Sequence, residues 1–91
     1  MQIDWTMAAL SDLARLYDFL QPLNPNAAAR TVQSLTAALE QLSLHPRLGE
    51  ELEEFQPREI RIILIGQYEM RYEIQSNSIY ILRIWHTGED R

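Results

Sequence analysis

Few groups in this chain can take part in chemistry. It has two histidines, no cysteine and eight basic residues, all of them arginine, against thirteen carboxylates. The most suggestive placement is His86 in the closing segment RIWHTGEDR. An imidazole there could transfer protons, but general acid–base catalysis needs a second positioned group, and none is evident nearby. Two plainer roles stand ahead of it: closing the last strand by packing and one hydrogen bond, and contacting a partner. His45 precedes Pro46 at a predicted helix end, where a positive imidazole suits the helix dipole, and is read as structural. Five arginines (Arg58, Arg61, Arg71, Arg83 and Arg91) fall in the C-terminal third, while Glu50, Glu51, Glu53 and Glu54 crowd one segment, read as a solvated loop. No P-loop, GxGxxG, HExxH or Ser-His-Asp arrangement is present, and neither metal nor cofactor is expected.

These groups must be positioned by a small scaffold. Ninety-one residues make one domain, 1–91. A chain of this size buries only about 60–65% of its unfolded surface, so its core is modest and a supporting partner is expected. The formal charge of −5 suits nonspecific nucleic-acid binding poorly, because that binding depends on phosphate neutralisation. The lack of cysteine fits a reducing cytoplasm. The longest purely aliphatic run, 62–65, is far short of a membrane span, and the start MQIDWTM lacks the basic head and apolar core of an export signal.

A short strand is predicted at Gln2–Trp5. Thr6 then caps a helix whose apolar positions Leu10, Leu13, Tyr17 and Leu20 follow helical spacing, and Pro22 ends it. Asn24 and Pro25 restart the chain as a cap and a first-turn proline. The second helix carries Ala28, Val32, Leu35, Leu39 and Leu42 on one stripe and ends before Pro46. From position 58 the period changes to two. Strands are predicted over 58–65, 68–75 and 78–85, separated by Gly66-Gln67 and Ser76-Asn77 at hairpin spacing. The expected fold is α+β in the order βααβββ, a helical hairpin on one face of a mainly antiparallel sheet.

With a two-residue turn at Ser76-Asn77, Tyr72 faces Ile81, Ile74 faces Ile79 and Met70 faces Arg83. Those residues and Trp85 would receive the helices. Arg83 would then need a buried acid, either Asp12 or Asp18. The opposite face would show Glu69, Arg71 and Glu73 beside Tyr80, Leu82, Ile84 and His86, joined by Arg61 and Ile63 if the Gly66 turn has three residues. Aliphatic residues left open to water on such a face call for a covering partner. Trp5 and Trp85 are read as edges of the core.

The pieces WTMAALSDLARLYDFL, NPNAAARTVQSL, LHPRLGEEL, YEMRYEI and ILRIWHTGEDR, in this order and spacing, resemble the ParE/RelE superfamily of bacterial toxins nearly end to end. The resemblance implies a toxin encoded beside an antitoxin that wraps and neutralises it. ParE members poison DNA gyrase, and RelE members cleave mRNA in the ribosome without a metal. Of the RelE ribonuclease set, Arg61 falls at a basic strand position. Glu69 stands where RelE places a catalytic arginine, and Glu89 lies in a stretch that is basic there. The chain also stops before the RelE C-terminal tyrosine. A ribonuclease would therefore have to rely on Arg61, Arg71 and His86. The closer resemblance is to ParE, a gyrase-binding toxin that is not itself expected to cut RNA. Its partner-binding set would be Arg61, Ile63, Arg71, Leu82, Ile84, His86 and Arg91, with the antitoxin and gyrase as partners in a cytoplasmic complex. A RelE-like ribonuclease and a non-toxic antitoxin-binding member are the alternatives.

Overall fold

The computed structural model describes residues 1–88. Strand β1 (Gln2–Trp5) leads into helix α1 (Met7–Leu23) and helix α2 (Pro25–Leu44). Strands β2 (Glu50–Glu51), β3 (Glu59–Ile65), β4 (Tyr68–Gln75) and β5 (Ser78–His86) follow, with a 3-10 turn at Glu53–Phe55. The sheet order is β1-β5-β4-β3-β2, antiparallel throughout except for the parallel β1–β5 pair. The expected α+β hairpin-on-sheet architecture is present. It is extended by β2, since Glu50 and Glu51 pair with Ile62 and Arg61 where a loop was expected.

Local chemistry sets the helix ends. The Thr6 hydroxyl accepts the Ala9 N–H at 3.2 Å and donates to the Ile81 carbonyl at 2.7 Å, so one side chain caps α1 and ties it to β5. Asn24 closes α1 through its N–H to Leu20 and opens α2 by accepting the Ala27 N–H. Pro22 lies inside the last turn of α1, one residue short of the helix end. So near the C-terminus the missing amide costs a single hydrogen bond. The two tight hairpin loops carry positive φ at their first residues, +61° at Gly66 and 52° at Ser76. That pattern marks type II′ turns.

The core lies between the helical hairpin and one face of the sheet. Ala9 and Leu16 of α1 and Leu35 and Leu42 of α2 pack on Met70, Tyr72, Ile74, Ile79, Ile81 and Ile84. Full burial of each large apolar side chain contributes about 1.5–3 kcal/mol. The inward stripe of α1 is displaced from the expected one. Ala9, Asp12 and Leu16 face inward, Leu13 and Leu20 are half-buried, and Leu10 and Tyr17 are exposed at 47% and 43%. The rotation follows from Asp12. Among the described residues no strand pairs with that side of β5 beyond Trp5, and the Asp12 carboxylate instead accepts the Ile84 N–H at 2.9 Å. Val32 on α2 is likewise exposed, at 37%, at the rim of its stripe.

The register holds as expected up to one point. Tyr72 pairs with Ile81 and Ile74 with Ile79, but Arg71 pairs with Arg83, leaving Leu82 as the extra residue of a bulge. Met70 therefore faces Ile84 and not Arg83. Past the bulge every side chain of β5 changes face. Ile84 is fully buried against the helices, while Arg83 and Trp85 move to the far face beside Arg71.

Candidate functional site

The residues expected to share one surface occupy several. Arg61 and Ile63 lie on the helix side of β3, opposite Tyr72 and Met70. Ile84 is core, Ile63 and Leu82 are half-buried, and Arg71 sits on the far face. His86 pairs with Tyr68 on the helix side. Glu89 and Arg91 lie outside the described residues.

Arg61 serves as a clamp. Its Nε donates to Glu59 at 2.9 Å and its Nη1 to the Gly49 carbonyl at 2.7 Å, fixing the segment between α2 and β2. Glu59 also accepts from Arg47 at 2.9 Å. Burial alone would raise the Glu59 carboxyl, but the two guanidiniums outweigh it and hold it below the usual range. The buried Tyr72 hydroxyl completes the clamp. It accepts the Gly49 N–H and donates to the Pro46 carbonyl, both at 2.8 Å. Burial pushes its phenol above the ordinary tyrosine value. The Arg61 guanidinium is thus engaged in holding backbone.

His86 belongs to a cleft of about 820 Å³ between the tip of the helical hairpin, the Gly66-Gln67 turn and the end of β5. Leu16, Phe19, Leu20, Ile65 and Tyr68 form its apolar walls, and Arg15 and Arg30 reach it from the two helices. No carboxylate lines it among the described residues. The His86 Nδ1 accepts the Gly88 N–H at 3.0 Å, which puts the ring proton on Nε2, 3.2 Å from Gln67 Oε1. Tyr68 meets the ring edge-on, with centroids 5.4 Å apart. His86 therefore ties the end of β5 to the hairpin turn, and the Thr87 N–H adds a bond to the Gln67 carbonyl at 2.8 Å. His86 thus makes packing and hydrogen-bonding contacts, and its ring also lines the cleft.

Sequence reasoning does not reach Phe19, Arg15 and Arg30; its signal for them is Phe19, a large aromatic off the apolar stripe of α1, which the structure leaves 66% exposed. On the far face, Arg71 lies 5.4 Å from the Phe55 ring centroid and 5.0 Å from that of Trp85, and Arg83 stacks on Trp85 at 5.2 Å. Arg83 also reaches Asp12, with bonds of 2.7 and 3.1 Å, so the expected Asp12 partner is present. The arginine itself is not buried: its side chain is 44% exposed. Arg58 makes a two-pronged pair with buried Glu73, at 2.7 and 3.0 Å, and holds that carboxyl below its usual value. Among the described residues no three His, Asp or Glu side chains converge as metal ligands would, and no helix is long and apolar enough to cross a membrane.

Comparison with known proteins agrees with this architecture. A model of the ParE toxin of the type II toxin–antitoxin system parDE matches residues 3–91. Toxin RelE2 of Caulobacter vibrioides is 32% identical over 87 residues, covering 96% of each chain. Toxin RelE1 of the same organism is 38% identical over 88 residues, covering 94% of this chain and 92% of that one. The solved chromosomal ParDE toxin–antitoxin system from P. aeruginosa superimposes with a TM-score of 0.76 at 25% identity, covering 94% of this chain and 95% of the other. With the hairpin-on-sheet fold in place and the match running almost from end to end, the chain belongs to the ParE toxin family of type II toxin–antitoxin systems.

Proposed function

We infer that this toxin acts by binding and inhibiting DNA gyrase, in the manner of ParE, and is neutralised by an antitoxin from the adjacent gene. The observation that carries the reading is the dispersal of the cationic groups. A metal-free ribonuclease needs cations and a proton-transfer group converging on one phosphate. Here Arg61 is bound to backbone carbonyls and Glu59, His86 sits in the cleft, and Arg71 lies on the opposite face. Glu69 and the net charge of −5 further disfavour a phosphodiester substrate. The second reading, a ribosome-dependent mRNA endoribonuclease, draws on the two RelE toxins among the relatives. A non-toxic antitoxin-binding member is the third.

For the antitoxin, the surface that fits best is the apolar cleft. Its walls suit the apolar side of an amphipathic helix, and Arg30 suits a carboxylate along its flank. Phe19→Asp, at a residue 66% exposed, should weaken antitoxin binding at least tenfold in titration calorimetry and leave folding intact. Gyrase supercoiling assays, alongside mapping of mRNA ends after incubation with translating ribosomes, decide the target. Codon-positioned cuts lost in both Arg61→Ala and His86→Ala would replace the gyrase reading with the ribonuclease one. In the gyrase reading all partners meet in the cytoplasm.

A further inference from the structure

The far face of the sheet carries a feature the fold alone does not require. The bulge at Leu82 sets Arg71 directly across from Arg83, although like charges in that relation are unfavourable. Both guanidiniums rest on Trp85, and Phe55 covers Arg71 from the 3-10 turn. Arg83 has its acid in Asp12, and the nearby Arg58 has Glu73. Arg71 differs: its Nε is enclosed without an acceptor, and no hydrogen bond or ion pair among the described residues engages its guanidinium. Two aromatic rings, Phe55 and Trp85, hold this cation in place. A stacked, planar guanidinium is the group best suited to grip an anion with two parallel hydrogen bonds. Bulges commonly re-aim side chains in this way beside functional sites.

We propose that Arg71, held between Phe55 and Trp85 with Arg83 beside it, is an anion-receiving site for a carboxylate side chain of the toxin's protein target. The ligand is a single carboxylate and not a nucleic-acid strand, because the net charge of −5 repels a polyanion far more strongly than one side-chain charge. The identity of the target rests on the gyrase reading above. The site lies on the side of the sheet opposite the cleft, so target and antitoxin are recognised on different faces.

The test uses Arg71→Gln and Arg71→Lys, made in toxin produced with its antitoxin. Melting of the complex and antitoxin affinity report folding, and binding of purified DNA gyrase reports the site. Antitoxin affinity should stay within threefold for both variants. Gyrase affinity should fall at least tenfold for Gln, and at least threefold for Lys, which keeps the charge but loses the fork. Unchanged gyrase affinity overturns the proposal. So does a parallel loss of antitoxin affinity, or unfolding of both variants, since Arg71 would then be a packing group. If the wild-type toxin does not bind gyrase, the functional reading fails separately and growth arrest becomes the readout. Arrest retained by Arg71→Gln overturns the site, and mRNA cutting that depends on Arg71 would make its ligand a phosphate and overturn the carboxylate assignment.

Discussion

Replacing Asp12 with alanine tests the link between α1 and the bulged strand. The Asp12 side chain is 6% exposed and accepts from Arg83 Nε at 2.7 Å, Arg83 Nη2 at 3.1 Å and the Ile84 N–H at 2.9 Å. Losing one partner of a fully buried ion pair costs about 3–5 kcal/mol, but Arg83 is 44% exposed and water recovers much of its charge. That part is worth about 0.5–1 kcal/mol. The Ile84 N–H, on a residue with no exposure, is left without an acceptor, at about 1–3 kcal/mol. The expected total is about 1.5–4 kcal/mol, a fall in Tm on the order of 6–32 °C for a domain of this size. Asp12→Asn keeps a neutral acceptor for the N–H and should cost about 1 kcal/mol, as should Arg83→Met. Thermal and urea unfolding of the free toxin measure all three. Equal damage from Asn and Ala would refute the reasoning, because the backbone bond would then contribute nothing beyond the charge. A neutral Asp12→Ala would refute it outright.

Burial alone would raise the Asp12 carboxyl, but the hydrogen bonds from Arg83 and Ile84 outweigh it and hold it below its ordinary value of 3.8. A depressed carboxyl stabilises the fold above that value and loses its contribution as pH falls through the lower folded value, so Asp12→Asn should flatten acid unfolding below about pH 4. Glu73, held low by Arg58, acts in the same direction, and Glu73→Gln should blunt the acid limb further. Ser76 occupies the left-handed region at φ 52°, and Ser76→Gly should raise stability by about 0.5–1 kcal/mol in the same unfolding assays. A methyl group at Gly49 would stand 2.7 Å from the Tyr72 hydroxyl and 2.8 Å from the Ile62 carbonyl. Gly49→Ala should cost about 1–3 kcal/mol, and adding Tyr72→Phe should restore only part of it because the carbonyl contact remains. Arg61→Ala should speed hydrogen exchange at the Gly49 amide, as expected of a clamp.

Much of the fold was legible because it rests on local chemistry. Thr6, Asn24 and Pro25 mark helix ends through the hydrogen bonds they make or cannot make, and Gly66 and the Ser76 pair mark tight turns. β2 was hidden because two glutamates in a four-glutamate run carry no strand signal. They pair where Arg61, Gly49 and Tyr72 fix the segment before them. The cleft was hidden for a different reason. Phe19, Arg30 and His86 come from three elements, and their meeting depends on how the hairpin tip sits over the end of the sheet.

The division of faces past the bulge turned on Leu82, and here the sequence did carry a trace. Ile79 and Ile81 share one parity, and the next isoleucine, Ile84, has the other. In an unbroken period of two, Arg83 would enter the core and Ile84 would face water. Burying a guanidinium without full compensation costs several kcal/mol, and exposing an isoleucine forfeits about 1.5–3 kcal/mol more. An extra residue between Ile81 and Arg83 removes both penalties for the loss of local ladder pairing. It also takes Arg83 to the open edge where Asp12 waits, and sets it and Trp85 beside Arg71. A break in apolar parity around an arginine is thus a reason to expect a bulge, and the side chains it turns outward are the ones to examine for binding.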